Sequence, residues 1–267
     1  MGAAATFHIL GSSSSGNCAL LEAPGCRVLI DIGLLPRKLN DLLKPLDLSL
    51  GDVDAVFITH EHSDHICGLA GLSRHPRVQV FANRETARAA QTRLRFRPQW
   101  NFFETGSTFS YRGLEVASFS IPHDASDPVG FVFSIAAEPA PLRLAWCTDL
   151  GYVPELVRER IRGADVLVIE SNYDPDMLDR DHRRPFPLKQ RIKSRHGHLS
   201  NHATHELLRT TENAAWRRVF LAHLSRECND VGLVRQTFAG LGQNGHRFAV
   251  EVIDPVAAML SCELGSM

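Results

Sequence analysis

The sequence predicts an α/β protein in which two β-sheets pack face to face and helices cover their outer surfaces. Two observations support this fold class. Short runs of β-branched and aromatic residues, bounded by Gly, Pro or Asp, are concentrated in residues 6–59 and 107–149. Helix and strand patterns then alternate from residue 153 to residue 253. Blocks of strands accompanied by helices are typical of layered folds with the helices outside.

Strand patterns account for most of the first 149 residues. The predicted strands cover 6–10, 18–23, 27–33, 54–59, 78–82, 107–111, 114–121, 129–137 and 142–149. Helices are predicted over 68–75 and 83–94, and Asn83 is a suitable N-cap for the second. The last part of the chain contains three helices, each followed by a strand. Their predicted ranges are 153–163 and 164–171, 201–211 and 217–223, and 230–241 and 247–253.

Composition limits the classes of function. The chain has 267 residues, 44% of them hydrophobic and 22% charged, which suffices for one large domain or two small ones. Its net charge of −1 gives no overall attraction to nucleic acids or membranes, so such binding needs local patches. No apolar run is long enough to cross a membrane, and the first residues lack a signal-peptide pattern. The six cysteines form no CxxC pair, and reduced thiols in a cytoplasmic protein are expected.

A cluster of metal ligands follows the DAVFIT strand. The segment THEHSDH (59–65) contains His60, His62, Asp64 and His65. His60 and His62 alternate on an extended backbone and point to the same side. Asp64 and His65 follow on the turn into a helix, where they can face a second point nearby. Imidazole and carboxylate ligands suit Zn, Mn or Fe, so the segment predicts part of a site for two divalent metal ions.

Three more polar residues stand where apolar strands end. His123, Asp149 and His223 each come at or just after the end of a predicted strand, which is where a sheet presents a site. We therefore expect them to complete the metal site. The predicted division places His60, His62 and His123 on one ion, and Asp64, His65 and His223 on the other, with Asp149 bridging both.

This ligand pattern resembles the metallo-β-lactamase superfamily, in which HxHxDH is followed by a later His, Asp and His. The match spans nearly the whole chain and implies an αββα four-layer sandwich, with residues 1–267 as a single hydrolase domain. It also implies that Asp31, in LIDIG, lies behind the histidines and orients them, although the sequence is equally compatible with a turn or helix-cap role. Only 74 positions separate Asp149 from His223, which leaves no room for a β-CASP insertion.

Two further segments bear on the substrate. The loop LGSSSSGNC (10–18) offers backbone N–H groups and hydroxyls that can cradle an anion, with a plain hairpin turn as the alternative. The segment RHGHLSNHATHE (195–206) precedes a helix whose amino terminus can bind an anion. The alternative interpretation of this segment is an ordinary helix cap.

Together with ESNYD (170–174), these segments resemble the YycJ/WalJ family within the superfamily. That family has an SGSSGN-type loop, an HLSN-type motif before a helix, and a strand ending in ESN; this chain departs from it by carrying four consecutive serines. The family is linked to 5′→3′ exonuclease activity, so the resemblance implies a DNA substrate. The residues expected to bind substrate phosphate are Ser13, Ser14, Ser15, Asn17, Asn172, Ser200 and Asn201.

The distribution of charge favours the same kind of substrate. Residues 180–198 hold seven Lys or Arg and one Asp, and lead directly into HGHLSN. Residues 84–97 hold five Arg. Backbone phosphates bind such patches, with strong dependence on salt. Phosphate contact is favoured for the first segment, whereas the second is equally compatible with a solvated helix face.

The predicted reaction is metal-assisted hydrolysis of a phosphodiester. Asp64 and Asp149 would hold or orient the attacking hydroxide, and His198 would donate a proton to the leaving oxygen or a hydrogen bond to the phosphate. The alternatives are an RNA-processing or cyclic phosphodiesterase, a thioester hydrolase of the glyoxalase II type, and a metal-binding sensor without activity. The serine-rich loop and HGHLSN favour phosphodiester over thioester chemistry, and the complete ligand set argues against the sensor.

Overall fold

Two seven-stranded sheets form the centre of the structure, a computed structural model that describes residues 5–241, 248–256 and 259–264. Their inner faces share one core. Phe7 of the first sheet packs edge-to-face on Trp146 of the second, with 6.2 Å between ring centroids, and Phe57 packs in the same way on Phe131 at 6.0 Å. The predicted absence of a signal peptide concerns the start of the chain, whose first four residues lie outside the described residues.

The first sheet contains the amino-terminal strands. Its spatial order is β14 (Leu260–Leu264), β1 (Ala5–Gly11), β2 (Cys18–Ala23), β3 (Cys26–Ile30), β4 (Ala55–Phe57), β5 (Gln79–Ala82) and β6 (Gln99–Phe102). The strands from β3 to β6 are parallel, so their carboxyl ends lie at one edge of the sheet.

The second sheet contains the later strands. Its spatial order is β13 (Ala249–Val252), β12 (Arg218–Ala222), β11 (Val166–Glu170), β10 (Leu142–Cys147), β9 (Val129–Ile135), β8 (Leu114–Ser120) and β7 (Thr108–Tyr111). The strands from β10 to β13 are parallel, and β7 to β10 alternate in direction.

Helices cover both outer faces, which confirms the predicted αββα order of layers. The α-helices are α1 (Pro36–Leu43), α2 (Ser63–Ile66), α3 (Arg84–Gln91), α4 (Glu155–Arg162), α5 (Pro175–Arg180), α6 (Phe186–Lys193), α7 (Asn201–Thr210) and α8 (Val231–Phe238). Leu39 of α1 and Ala87 of α3 join the core outside the first sheet. Val157 of α4, Leu207 of α7 and Val234 of α8 join the core outside the second. Among the described residues, no helix has the length and apolar character needed to span a bilayer.

The twelve strands predicted from the sequence are confirmed, with ends that differ by a few residues. The last prediction starts at residue 247, which lies outside the described residues. The sequence did not predict β6 and β14, which are the two edge strands of the first sheet. It also missed α1, α5 and α6. Because α6 buries none of its residues, it shows no apolar periodicity that could reveal it.

The helix predicted over 68–75 is present as a 3₁₀ helix over Cys67–Arg74 and not as an α-helix. Gly68 lies so close to the backbone of Leu34 that a Cβ there would be 2.4 Å from the Leu34 carbonyl oxygen. Two glycines in eight residues weaken an α-helix, and here close packing rather than helix propensity sets the backbone.

Candidate metal centre

The predicted ligands meet at one edge of the sheets because several strands end there. β4 leads into His60, and β12 ends one residue before His223. β10 ends two residues before Asp149. Since β8 and β10 both run antiparallel to β9, they point the same way, and the turn after β8 carries His123 to the same edge.

The backbone turns sharply at three strand ends of the site. Asp31, Asp149 and His223 have positive φ angles of 57°, 61° and 55°. A left-handed conformation costs a residue other than glycine about 1–3 kcal/mol, so it persists where the surroundings hold it. Each turn brings its side chain to a partner in the site. Asp31 and Asp149 lie 2.8 and 3.2 Å from nitrogens of His65, and His223 lies 3.4 Å from Asp149.

Groups of His, Asp and Glu side chains at this edge place their ligand atoms within 4.8 Å of one another. The groups are His60, His62 and His123; Asp64, His65 and His223; His60, His65 and Asp149; and Asp149, Glu170, His198 and His223. The first two groups match the division predicted from the sequence. Asp149 occurs in groups on both sides, as a bridging ligand would. Metal binding by these side chains remains a prediction.

The hydrogen bonding of the cluster fits a metal site. Nε2 of His60 is buried and has no hydrogen-bond partner among the described residues. Nε2 of His223 is buried without a well-formed hydrogen bond in the same part of the chain, its nearest carboxylate oxygens being 3.4 and 3.5 Å away. Nε2 of His123 faces Nδ1 of His62 at 3.3 Å. Residues that share a metal ion place their ring nitrogens close together and without hydrogen-bond donors or acceptors of their own, as these histidines do. The donor set suits Zn, Mn or Fe.

The electrostatics also favour a cation. Burial opposes protonation of His223, but the neighbouring Asp149, Asp64 and Glu170 outweigh it and raise the pKa of His223 to about 10. For His65, too, nearby carboxylates outweigh burial and raise its pKa well above the usual value. The field that stabilises a proton on these rings equally stabilises a bound metal ion.

Asp31 and Thr59 hold two of the histidines in place. Asp31 is fully buried, and Nδ1 of His65 donates to it at 2.8 Å. The Thr59 hydroxyl donates to Asp31 at 2.9 Å and accepts from Nδ1 of His60 at 3.0 Å. Thr59 could not be identified as a functional residue from the sequence, because a threonine at a strand end is commonplace. These contacts fix each ring with Nε2 toward the site.

Backbone and amide groups orient two further ligands. Nδ1 of His123 donates to the Gly197 carbonyl at 3.0 Å, which leaves its Nε2 free to bind metal. The Asn172 amide lies 3.1 Å from Nδ1 of His223 and donates to its carbonyl at 2.9 Å. Asn172 is only 4% exposed, so its position favours a role in holding His223 over the substrate contact expected from the sequence.

Glu170 is a functional candidate that the sequence reasoning did not include, although it begins the ESN motif. It is fully buried, and its Oε1 accepts from the backbone N–H groups of Leu150 at 2.7 Å and Leu199 at 2.9 Å. Its Oε2 lies 3.0 Å from Nδ1 of His198. The carboxylate can only accept, so Nδ1 of His198 carries the proton and Nε2 is left free. Burial would raise the pKa of Glu170, but His198 and His223 outweigh it and lower that pKa.

The serine-rich loop lies beside the ligands. Ser12, another residue that the sequence reasoning passed over, accepts a hydrogen bond from the backbone N–H of His223 at 2.7 Å. Asn17 is fully buried, and its amide donates to Asp64 at 3.2 Å. Ser13 is 3% exposed, whereas Ser14 and Ser15 lie on the surface. Of the loop residues predicted to bind phosphate, Ser14 and Ser15 are therefore the accessible ones.

Ser200 and Asn201 have different surroundings. Ser200 is the N-cap of α7 and accepts from the backbone N–H of Ala203 at 3.1 Å. Asn201 is fully buried and bonded to Ser171 and Asn229. This position favours a supporting role for Asn201, while Ser200 lies at the helix terminus where an anion can approach.

The basic segment 180–198 shares much of its charge with carboxylates. Arg184 contacts Asp181 at 2.5 Å, and Arg191 pairs with Asp124, next to the candidate ligand His123. The pair of Arg191 with Asp124 lies on the surface, where ion pairs are weak and exchange readily, so phosphate contact by this segment stays a prediction.

Comparison with known proteins places the chain in a family. A family model described as a β-lactamase superfamily domain matches residues 26–224. The chain is 34% identical to an exodeoxyribonuclease YycJ from Bacillus anthracis, over 93% of this chain and 95% of that protein. It is 35% identical to an exodeoxyribonuclease WalJ from Streptococcus pneumoniae, over 86% of each. The metallo-β-lactamase-fold protein YhfI from Bacillus subtilis superposes on 97% of the chain with a TM-score of 0.72 at 13% identity, which shows the shared fold.

The chain therefore belongs to the metallo-β-lactamase superfamily. Within it, the chain is a member of the YycJ/WalJ family, as the SSSSGN loop, the ESN strand end and the HLSN motif indicated.

Proposed function

We propose that the protein is a metal-dependent phosphodiester hydrolase that degrades DNA as an exonuclease, from the 5′ end. The observation that carries the proposal is identity of 34–35% with exodeoxyribonucleases over 86% or more of the chain. The clustered His and Asp side chains supply the site such chemistry needs. An RNA-processing, cyclic-phosphodiester or thioester hydrolase is the alternative that the experiment must separate.

The cofactor of this proposal is a pair of divalent ions, Zn, Mn or Fe. The residues that would hold them are His60, His62, Asp64, His65, His123, Asp149 and His223. Such ions lower the pKa of water and neutralise charge on phosphoryl oxygens. Asp31 and Thr59 keep two of the ligand rings in position, and Asp64 and Asp149 offer carboxylate oxygens that can orient the attacking water.

His198 is the proposed proton donor to the leaving oxygen. Its side chain is 20% exposed, so substrate can reach it, and Glu170 fixes its Nδ1 and thereby directs Nε2 outward. A protonated Nε2 donates to the leaving group, and the Glu170 carboxylate stabilises the charged ring. Ser14, Ser15 and Ser200 are the residues proposed to contact the phosphate.

The chain is also proposed to act as one hydrolase domain without a β-CASP insertion and to work in the cytoplasm. All six cysteines are free, and reduced thiols are typical of proteins in the cytoplasm.

The test is a substrate panel with metal-loaded protein. The panel contains 5′-labelled single-stranded and duplex DNA, 3′-labelled copies of both, RNA of the same sequence, a cyclic nucleotide and a glutathione thioester. We expect the 5′ label to leave as a mononucleotide while the 3′-labelled strand shortens gradually. The Asp149→Ala variant is the control for a contaminating nuclease. Faster hydrolysis of the thioester or of the cyclic nucleotide than of DNA would overturn the proposal.

A further inference from the structure

The segment from α3 to β6 presents an unusual concentration of arginine. Residues 84–102 contain five Arg and a single acidic residue, Glu85. All five arginines are exposed. In a protein whose net charge is −1, this surface, which we call the arginine–aromatic face (residues 84–102), is a local positive patch.

Two aromatic rings lie among these arginines. Phe102, the last residue of the edge strand β6, is 45% exposed, although phenylalanine normally contributes to the core. The Arg84 guanidinium lies over its ring, 4.9 Å from the centroid. Trp100, two residues earlier, is half-buried, and its indole N–H donates to Gln91 at 3.0 Å. The rings and Arg97 border a surface cavity of about 320 Å³.

The arginines of this face are less neutralised than those of the segment 180–198. Among the described residues, Arg84 and Arg97 have no ion-pair partner, and Arg88 has only a long contact of 3.9 Å with Glu85. The positive charge here is therefore available to an external anion. A patch that combines free guanidinium groups with exposed ring faces matches the two interactions that hold single-stranded nucleic acid, backbone attraction and base stacking.

The arginine–aromatic face adjoins the candidate metal centre. Nη1 of Arg93, just beyond the end of α3, donates to the Glu61 carbonyl at 3.1 Å, between two predicted metal ligands. Phe102 pairs with Ala82 of β5, and the residue before Ala82, Phe81, pairs with Phe57 of β4, shortly before the HxHxDH segment. Two strand spacings amount to about 10 Å. A single strand of a few nucleotides is long enough to span this distance.

We propose that the arginine–aromatic face is an accessory binding site for a single-stranded segment of the nucleic acid substrate, a few nucleotides from the bond that is cleaved. The proposal rests on the proposed nuclease function. Phe102 and Trp100 stack on bases without regard to sequence, and Arg84, Arg88 and Arg97 contact the backbone phosphates. Because this contact requires several nucleotides, it serves long strands and not dinucleotides.

The experiment compares Phe102→Ala and Arg97→Glu with Arg160→Glu in the metal-loaded protein. Arg160 is a matched control, since it is an exposed arginine on α4, outside the opposite sheet. The first readout is the anisotropy of a fluorescent phosphorothioate oligothymidylate of about twenty nucleotides, longer than the usual single-strand site. The second is the ratio of kcat/KM on an unmodified strand of that length to kcat/KM on a dinucleotide.

We expect Phe102→Ala to weaken strand binding by about 5- to 150-fold, the usual effect of losing one stacking ring. Arg97→Glu should reduce the slope of log affinity against log salt by about one. Both should lower the kcat/KM ratio, and Arg160→Glu should change none of these values. The proposal is overturned if both variants behave as Arg160→Glu does.

Two other outcomes are informative. If the wild type binds the strand at this face but cleaves no phosphodiester, the nuclease function fails and the binding site stands. If Phe102→Ala converts a dimer to a monomer in gel filtration without changing strand affinity, the face is an interface between two copies and the proposal is wrong.

Discussion

His198 is the residue proposed to move a proton. It is not among the seven predicted ligands, yet its ring lies next to two of them, 5.1 Å from the ring of His123 and 5.3 Å from that of His223. Glu170 holds one ring nitrogen, and the ring is partly open to solvent. A structural histidine beside a helix cap would not need a buried carboxylate partner.

His198→Ala is expected to lower turnover of a DNA phosphodiester by roughly 10²–10⁴-fold, the usual range for a lost general acid. The loss should be much smaller on a nitrophenyl phosphodiester, because that leaving oxygen departs without a proton. Steady-state rates on the two substrates test this, with metal content measured as the control. Equal losses on both would make His198 a phosphate-binding residue, and no loss on either would remove it from the site.

Glu170→Gln is expected to lower DNA turnover by about 10–100-fold, because an amide nitrogen cannot accept from Nδ1 of His198 and the ring loses its fixed tautomer. The carbonyl oxygen of Gln can still accept from the backbone N–H groups of Leu150 and Leu199, so the fold should survive. The test is a double-mutant cycle with His198→Ala. In the His198→Ala background, Glu170→Gln should lower DNA turnover only slightly further. A loss of turnover as large as in the wild-type background would mean that Glu170 acts through His223.

At the scale of elements, the sequence was most informative where a strand runs into a functional residue. Buried strands of apolar residues give a clear pattern, and polar residues such as His60, Asp149 and His223 stand out at their ends. Both the layer order and the close grouping of these side chains could therefore be predicted. Edge strand β6 and helix α6 could not, because neither has one consistently buried face.

The groups that hold the ligands were harder to predict than the ligands. Asn17, Asn172 and Asn201 were expected at the substrate, yet all three are buried and bonded within the protein. An asparagine in a glycine-rich loop or at a helix start looks the same whether its amide faces a phosphate or a neighbouring side chain. Thr59 and Glu170 also acquire their roles only through contacts that folding creates.

Backbone hydrogen bonds connect Gly33, in the segment after β3, to the serine-rich loop and through Asn17 to the HxHxDH segment. The Gly33 N–H donates to the Asn17 carbonyl at 2.8 Å, and the Asn17 N–H donates to the Asp64 carbonyl at 2.8 Å. A Cβ at Gly33 would lie 1.5 Å from the Asp64 carbonyl oxygen, so no side chain fits. The three segments can approach this closely only because residue 33 is glycine.

Gly33→Ala is expected to lower the free energy of unfolding by about 3 kcal/mol or more, since the backbone must move to relieve the overlap. It should also reduce metal content, because Asp64 is displaced. Denaturant unfolding and elemental analysis measure the two effects. The control is Gly163→Ala, where a Cβ would make an ordinary contact of 3.5 Å with Arg143. Similar behaviour of the two variants would contradict this role for Gly33.

At the scale of the whole molecule, the candidate centre lies between the two halves of the sandwich. The segment after β4 of the first sheet supplies His60, His62, Asp64 and His65, whereas strand ends of the second sheet supply the remaining predicted ligands. A metal ion held by both sets would connect the sheets at the edge where the hydrophobic core gives way to polar residues. Metal binding and the stability of the fold should therefore be linked.

Removal of metal with a chelator is expected to lower the melting temperature of the whole protein in one cooperative transition. A ligand at one hundred times its dissociation constant stabilises the native state by about 2.7 kcal/mol. For a chain of this size that corresponds to a shift of roughly 5–10 °C. Calorimetry with and without chelator measures the shift, and restoring Zn or Mn should reverse it. In Asp149→Ala the predicted bridging ligand is lost, so chelator should change its melting temperature far less. An unchanged melting temperature of the wild type, at a metal content shown to have fallen, would mean that the ions do not join the two sheets.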